Sequence, residues 1–269
     1  MKQTVPLLLL TLLTLSGYAQ RERELTKVLE LQMPQGPGAR GASVAFHPTL
    51  KRYYAAIGGN AAHAMAIFDQ QGRKLSGNDQ KALFDIRGFW WSPELKTFCA
   101  NGYSDLGWVS YQLDSRGTPV AVNEIFGGMH QPGEHSSGAF NPKTNELYFL
   151  DGPDLLVYPI ATGEEEKDVI HLHIGASKES ESVEYEEEED LVADEYNTSV
   201  VYTSRPSAEF GLLNHYLKTI ELYSKATGYI TEKLLLPADA PTDEMMCFAY
   251  ANGIYWLFDR TTRAWKGYK

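Results

Sequence analysis

Apolar and polar residues along this chain follow a pattern that returns about every 45 residues. Each repeat has a short apolar strand, a turn that contains proline, and a second strand rich in aromatic residues. Three such segments begin at Val44, Gly88 and Gly138, as VAFHPTLKRYYAAIGG, GFWWSPELKTFCANG and GAFNPKTNELYFLDG. A third strand and a polar turn follow each segment and close at a glycine, namely at Gly72, Gly117 and Gly163. The pattern predicts an all-β chain built from repeated units.

Four strands per unit at this period are typical of a β-propeller, in which each unit forms one blade. The chain resembles the broad propeller superfamily over nearly its whole mature length, at the level of exported YncE-like, NHL-like and six-bladed propellers. The WD and GH dipeptides of WD40 repeats are absent. The resemblance matches no single functional family, so it implies a fold and carries over no site residue.

We predict five four-stranded blades, with six as the alternative if residues 165–190 form an extra blade. The expected first strands lie at 42–47, 88–92, 137–141, 191–196 and 245–250. The fifth unit has room for only three strands, and the segment from Thr26 to Met33 supplies the missing outer strand. Pairing of the two ends closes the ring and leaves neither terminal blade with an open edge. Residues 211–225 also show helical spacing, but similarity to the other third strands favours a strand at Leu217–Ser224.

The first 20 residues have the pattern of a secretory signal peptide. Lys2 is followed by an apolar run from Val5 to Leu15 and then by small residues up to Ala19. The run is too short for a comfortable membrane span, and no later segment is longer. We therefore predict a signal peptide at 1–20, a single propeller domain at 21–269, and a periplasmic or extracellular location without a membrane span.

The net charge of −11 is concentrated in one part of the chain. Residues 164–190 hold most of the excess of acids, and the remaining blades are nearly neutral. We predict an acidic, solvated loop at about 177–190, because an unbroken acidic run repels itself. Ca²⁺ binding by its carboxylates is the alternative, and otherwise we expect no cofactor. The chain has no basic patch, so we do not expect it to bind nucleic acid.

The two cysteines fall in different predicted blades. Cys99 lies on the second strand of unit two and Cys247 on the first strand of unit five. A disulfide needs Cα atoms within about 7 Å, which this placement does not allow. We therefore predict two separate thiols that are buried as small apolar groups.

The connection at residues 127–137, GGMHQPGEHSS, is the most site-like segment. In a propeller, such connections meet near the central axis on one face. Histidine and glutamate can bind a metal or transfer a proton, and arginine can bind a carboxylate or phosphate through two hydrogen bonds. We predict no metal site, and read GPGARG at 36–41 as a plain loop and the pair His171 and His173 as structural. The predicted ligand-binding residues of this face are Arg40, Arg87, His130, Glu134, His135, Asp151, Asp243 and Glu244.

Two functions fit this sequence. The first is a non-catalytic binding or scaffold propeller, presumed monomeric, that presents the loop face to a peptide, glycan or protein partner. The second is a propeller hydrolase or lyase that acts on a carbohydrate or lactone at the same face. A glycosidase needs two carboxylates about 5–9.5 Å apart, and the candidates are Glu134, Asp151, Asp243 and Glu244. The sequence contains no G-x-S-x-G, H-E-x-x-H, Walker or C-x-x-C motif, so the binding function is favoured.

Overall fold

The computed structural model describes residues 21–176 and 195–269. Within these ranges the chain is all-β, and its one helical element is a short 3₁₀ turn at Ser104–Leu106. The predicted signal peptide at 1–20 and the predicted acidic loop at 177–190 lie outside the described residues. No helix in the described part is long and apolar enough to cross a membrane.

The first two blades follow a pair of N-terminal strands. That pair is β1 (Arg21–Glu24) and β2 (Lys27–Gln32). Blade one contains β3 (Gly41–His47), β4 (Arg52–Ile57) and β5 (Met65–Phe68). Blade two contains β6 (Ile86–Ser92), β7 (Thr97–Gly102), β8 (Trp108–Leu113) and β9 (Pro119–Phe126). Both are antiparallel meanders that begin with the innermost strand.

The last three blades repeat this order. Blade three contains β10 (Ala139–Asn141), β11 (Glu146–Asp151), β12 (Asp154–Pro159) and β13 (Ile170–His171). Blade four contains β14 (Tyr196–Tyr202), β15 (Phe210–Asn214), β16 (Thr219–Tyr223) and β17 (Ile230–Leu235). Blade five contains β18 (Phe248–Ala251), β19 (Ile254–Asp259) and β20 (Ala264–Tyr268). Together the five sheets form the predicted five-bladed β-propeller.

The core consists of five apolar clusters, one between each pair of neighbouring blades. The cluster between blades five and one, for example, contains Tyr53 from β4 together with Trp256 and Trp265 from blade five. Sheets that pack face to face lie about 10 Å apart, and aromatic side chains fill that space well. This explains why the second strand of each repeat is rich in aromatic residues. A sixth blade would need a sixth interface, and the described residues form only five.

The two ends of the chain close the ring as predicted. Strand β2 pairs antiparallel with β20 and becomes the outer strand of blade five, with Leu31 opposite Trp265. Strand β1 adds a contact that the sequence did not predict, because it pairs parallel with β17 as a fifth strand of blade four. There Arg23 Nε lies 3.4 Å from Glu232 Oε1. Neighbouring blades four and five are thus tied together by consecutive strands.

Three details of the strand prediction need correction. The first strand of blade four is β14, which begins at Tyr196, where the sequence predicted 191–196 and residues 191–194 lie outside the described part. The first strand of blade five begins at Phe248, because Met246 and Cys247 adopt positive φ angles that are incompatible with a strand. Blade one has three strands, and its outer segment makes only the isolated bridges Phe68↔Lys74 and Ala64↔Lys81.

Two further predictions are confirmed. The segment predicted as a strand at Leu217–Ser224 contains β16, which spans Thr219–Tyr223 after a turn that includes Leu217 and Lys218, and it has no helical part. Both cysteines are free and buried, in blade two and just before the first strand of blade five. Burial raises the pKa of Cys99 and of Cys247 to about 12, so both thiols stay protonated at neutral pH.

Candidate functional site

The ring has two different ends. We call one the loop face: it carries the connections between second and third strands and those that lead from one blade to the next. We call the other the turn face: it carries the turns between first and second strands. The chain order places all the predicted ligand-binding residues at the loop face. They are Arg40, Arg87, His130, Glu134, His135, Asp151, Asp243 and Glu244.

Three of the eight predicted residues and two neighbours form a connected group, which we call the Tyr103 cluster: Asp85, Arg87, Tyr103, Glu134 and His135. The Tyr103 hydroxyl donates a hydrogen bond to Glu134 Oε2 at 2.7 Å, and the His135 ring centroid lies 5.1 Å from the Tyr103 ring. The Arg87 guanidinium carbon lies 4.8 Å from the centre of the same ring and its Nη1 donates to Asp85 Oδ1 at 2.5 Å. Arg87 is buried, whereas Glu134 and His135 are exposed. In this cluster the exposed Glu134 and His135 therefore lie above the buried cation of Arg87, with the Tyr103 ring between them.

The electrostatics of the cluster favour a neutral Tyr103. The hydrogen bond to the Glu134 carboxylate and the negative charge of that group raise the pKa of Tyr103. The phenol therefore remains a hydrogen-bond donor at neutral pH, and Glu134 keeps further lone pairs free to accept from a ligand.

A buried asparagine that the sequence analysis missed holds this cluster in place. Asn101 Oδ1 accepts from the main-chain N–H groups of Gly88 and Gly138, at 2.8 and 3.0 Å. Its Nδ2 donates to Gln131 Oε1 and to the Ser136 carbonyl oxygen, both at 2.7 Å. Asn101 thus connects blade two to the 127–138 connection and to the start of blade three. Its signal in the sequence is weak, because an asparagine near a strand end is usually a turn residue.

A second group at the loop face consists of Arg40, Asp243, Glu244 and Arg260. Arg40 lies 3.4 Å from the carboxylate of Asp243 and 3.3 Å from that of Glu244, and Arg260 lies 3.2 Å from Asp243. Asn197 fixes this connection by donating to the carbonyl oxygens of Asp243 and Met246, at 2.7 and 2.8 Å. Each charge in this group therefore has a partner within the group.

The remaining two predicted residues lie apart from both groups. The nitrogens of His130 face the carbonyl oxygens of Gly163 and Gly127, at 2.6 and 3.1 Å, and its ring packs near Trp108. Asp151 lies at the end of β11, opposite Asp154 in the register of blade three. The structure thus brings six of the eight predicted residues into two groups.

The described residues contain no group of three His, Cys, Asp or Glu that could hold a metal ion. The His171 and His173 rings are 5.2 Å apart, and each has another neighbour. His171 Nδ1 lies 2.8 Å from Asp154 Oδ1, and His173 stacks on Tyr229 at 3.9 Å. This is the structural arrangement that we favoured for the pair.

A cavity of about 270 Å³ lies at the centre of the ring, and the sequence analysis did not predict it. Its walls are the innermost strands of all five blades, β3, β6, β10, β14 and β18. It extends to the turn face, where Pro48, Pro142 and Asn252 line it. We call it the axial cavity. None of the eight predicted site residues lines it.

Comparison with known proteins confirms the fold and gives no family. No protein-family model matches the chain, and no curated protein does. Among solved structures, the chain is similar to a glutaminyl cyclase from Myxococcus xanthus. The TM-score is 0.53 with 11% sequence identity, over 93% of this chain and 97% of that chain.

Two further solved structures match less well. A nidogen/laminin complex gives a TM-score of 0.41 with 10% identity, over 72% of this chain and 63% of that chain. Raptor from Chaetomium thermophilum gives 0.49 with 11% identity, over 94% of this chain and 29% of that chain. At such low identity the similarities concern the fold alone.

Proposed function

We propose that the protein is an exported, non-catalytic binding propeller that presents its loop face to a partner. Of the peptide, glycan and protein partners that the sequence allows, we favour a peptide segment of a protein partner. The observation that carries this proposal is the Tyr103 cluster. The cluster joins side chains from three parts of the chain. Its exposed groups, the Glu134 carboxylate and the His135 imidazole, differ in chemistry and both contact Tyr103.

The cluster is organised before any ligand arrives. Tyr103 has the buried Arg87 beneath it and the Glu134 carboxylate at its hydroxyl. The main chain adds a further connection, because Ser104 N donates to the Glu134 carbonyl oxygen at 3.0 Å. A ligand therefore loses little free energy in ordering these side chains, which is the main advantage of a preorganised site. Tyrosine and arginine are also enriched in protein–protein interfaces.

The exposed chemistry of the cluster suits a basic side chain on the partner. Glu134 offers a carboxylate with unused acceptor positions, whereas the charge of Asp85 is already paired with Arg87. A lysine or arginine of a peptide would pair with Glu134 and contact the Tyr103 and His135 rings. We therefore propose a basic residue in the recognised peptide.

The hydrolase or lyase stays the second hypothesis, and no contact among the described residues favours it. Of the four carboxylates named for it, Asp243 and Glu244 both pair with Arg40, and Glu134 accepts from Tyr103. Asp151 belongs to the hairpin of blade three. Preparations of the protein can be assayed on glycosides and lactones, where turnover that is lost in a Glu134→Gln variant would replace our proposal.

A displayed library of random peptides tests the proposed function. Clones selected on the wild-type protein are measured against Glu134→Gln, which keeps the shape of the side chain and removes its charge. A charge-assisted hydrogen bond contributes about 1.5–3 kcal/mol, so we expect affinity to fall about tenfold or more. The matched control is Glu94→Gln, an exposed carboxylate at the turn face that accepts from Asn145.

The outcomes are clear on both sides. Enriched peptides that contain lysine or arginine, bind wild type and Glu94→Gln equally, and lose affinity for Glu134→Gln support the proposal. A failure to enrich any peptide, or equal affinity for both variants, rejects the Tyr103 cluster as the site. Export is tested separately by sequencing the N-terminus of the protein made with its leader. A mature chain that starts near Arg21 supports export, and retention of Met1 argues against it.

A further inference from the structure

Five aromatic side chains surround the turn-face end of the axial cavity, one from each innermost strand. All five line the cavity and are half-buried. They are Phe46, Trp91, Phe140, Tyr202 and Tyr250, and we call them the aromatic ring. No other layer of the innermost strands is aromatic in every blade.

The five residues hold equivalent positions in the repeat. Phe46, Trp91 and Phe140 each stand two residues before the turn proline of their blade. Each member of the aromatic ring packs against a different one of the five apolar clusters between blades. The ring therefore follows the approximate fivefold symmetry of the fold, and each side chain closes the turn-face end of one interface.

Neighbouring aromatic residues hold members of the ring in position. The Phe46 ring centroid lies 4.8 Å from that of Tyr53, and the Tyr250 centroid lies 4.9 Å from that of Tyr255. Trp91 lies 5.2 Å from Phe98 in a T-shaped contact. Such contacts restrict side-chain rotation, so the cavity mouth is preorganised for a ligand.

The axial cavity carries no charge. Among the described residues that line it, none is Asp, Glu, Lys, Arg or His. An ion that entered would lose its hydration without gaining an ion-pair partner, which costs several kcal/mol. The cavity therefore selects a neutral ligand.

The cavity also offers hydrogen-bonding groups. The Ser137 hydroxyl donates to the Arg87 carbonyl oxygen and the Asn252 amide donates to the Tyr53 hydroxyl, and each side chain keeps an acceptor position for a ligand. The hydroxyl groups of Ser43 and Ser137 lie at its inner end, and the Asn252 side chain lies at its mouth. Innermost strands also have one unpaired edge each, which adds main-chain donors and acceptors. A ligand with hydroxyl groups can use these acceptor positions, whereas a purely apolar ligand cannot.

A neutral ligand with an apolar face and several hydroxyl groups meets both requirements. A pyranose ring has this character, because its C–H groups form an apolar face and its hydroxyls form a polar rim. The volume of about 270 Å³ is near the lower end of ligand cavities, which are about 300–1,000 Å³, and so suits one small ring. We propose that the axial cavity binds a neutral sugar residue of a glycan, with the aromatic ring contacting its apolar face.

This site is independent of the proposed function at the loop face. The cavity runs from Ser43 and Ser137 toward the turns, and no member of the Tyr103 cluster lines it. Loss of sugar binding would therefore leave peptide binding intact, and failure of the peptide proposal would leave this one standing.

Titration of neutral mono- and disaccharides, followed by the tryptophan fluorescence of Trp90 and Trp91 and by calorimetry, tests the proposal. We expect a saturable change for at least one sugar, and no change for its uronic acid or amino-sugar counterpart. Trp91→Ala and Tyr250→Ala should each weaken binding about tenfold or more, because each removes one wall of the mouth. Trp91→Phe and Tyr250→Phe keep a ring and should retain most of the affinity.

Two controls separate binding from folding. Asn252→Gly keeps a residue that tolerates the φ angle of 55° and removes an amide at the mouth, so it should weaken sugar binding in a protein that still folds. Glu134→Gln changes only the loop face and should bind the sugar as wild type does. If no neutral sugar binds, or if binding is unchanged in Trp91→Ala, Tyr250→Ala and Asn252→Gly, the aromatic ring is only a structural seal. Stronger binding of charged sugars would also overturn the proposal.

Discussion

The loop face and the turn face of this propeller differ in the charge of the side chains that form them. At the loop face, charged and polar groups bind one another: Arg40 pairs with Asp243 and Glu244, and Tyr103 donates to Glu134. At the turn face, the aromatic ring surrounds a cavity that is lined by no charged side chain among the described residues. The pairs within the loop face fix its shape. Binding there depends on exposed groups that keep free acceptor positions, such as Glu134. A turn face of this kind offers aromatic rings and no charge, which suits a neutral ligand.

Both faces depend on the closure of the ring, so the largest effect should come from the seam where the two ends of the chain pair. Leu31 is fully buried in β2 and lies opposite Trp265 in the register. Leu31→Ala should lower the free energy of unfolding by about 2–5 kcal/mol, because it opens a cavity at the seam. Chemical denaturation measures the change, with the exposed Leu217→Ala as the control. A loss below about 1 kcal/mol would show that β2 contributes little to closure.

Removal of Asn101 should affect the loop face and spare the turn face. Asn101→Ala leaves the N–H groups of Gly88 and Gly138 without their acceptor, and should cost about 2–3 kcal/mol of stability. Peptide binding by the Tyr103 cluster should weaken, since the 127–138 connection loses its anchor. Asn123→Ala, an exposed change on β9, is the matched control. Equal losses of stability and of peptide affinity for the two substitutions would show that Asn101 does not hold the loop face in place.

The loop-face side of blade five should lose stability in acid. Burial opposes ionisation of Asp259, but hydrogen bonds from Lys266 and from the N–H groups of Thr261 and Thr262 outweigh it and lower the pKa to about 2. A lowered folded-state pKa contributes stability that is present above the unfolded pKa of about 4 and lost as the pH falls toward 2. The contribution is about 2 kcal/mol.

Unfolding of wild type and Asp259→Asn, measured from pH 7 to pH 2, checks this prediction. The difference between the two proteins should be largest near neutral pH and should shrink below about pH 4. Asp239→Asn, a change at an exposed acid in the connection between β17 and β18, is the control and should give only a small difference. If the difference in unfolding free energy between wild type and Asp259→Asn stays constant over the whole pH range, the ion pair with Lys266 is contradicted.

The smallest expected effect concerns pH and the axial cavity. Among its described lining residues, tyrosines are the only ionisable ones, and burial raises the pKa of Tyr202 and Tyr250 above the usual value of about 10. Behind the aromatic ring, the His47 ring centroid lies 4.1 Å from that of Trp91, and burial lowers the pKa of His47 below 6.5. Sugar affinity should therefore be constant from about pH 7 to about pH 9, where His47 is neutral. Calorimetry at several pH values measures it, and a clear change within this range would place an ionisable group in the site.

The repeat made the architecture readable from the sequence. Alternation, turn prolines and glycine spacing predicted the strands, the number of blades and the closing role of Thr26–Met33, because each of these follows from local patterning. The errors occurred where the repeat breaks. Blade one lacks a regular outer strand over KLSGNDQKAL, where Gly77 and polar residues replace β-forming ones, and blade four begins just after the acidic segment.

The candidate sites, like the fold, could be predicted from the sequence only where the repeat or local patterning indicates them. The aromatic ring was present in the repeat alignment, as the residue two positions before Pro48, Pro93 and Pro142, and only its convergence on the axis required the structure. The Tyr103 cluster could be predicted in part, since Arg87, Glu134 and His135 lie on converging connections. Its supports could not, because Asn101 binds groups that are 13 to 37 residues away in the sequence.

The central claim is that the two faces bind different ligands independently. The most direct test measures one selected peptide and one neutral sugar against wild type, Glu134→Gln and Trp91→Ala, by calorimetry under the same conditions. We predict that Glu134→Gln loses the peptide and keeps the sugar, and that Trp91→Ala loses the sugar and keeps the peptide. If either substitution, in a protein with wild-type thermal stability, weakens both ligands equally, or if neither ligand responds to its own substitution, the claim is wrong.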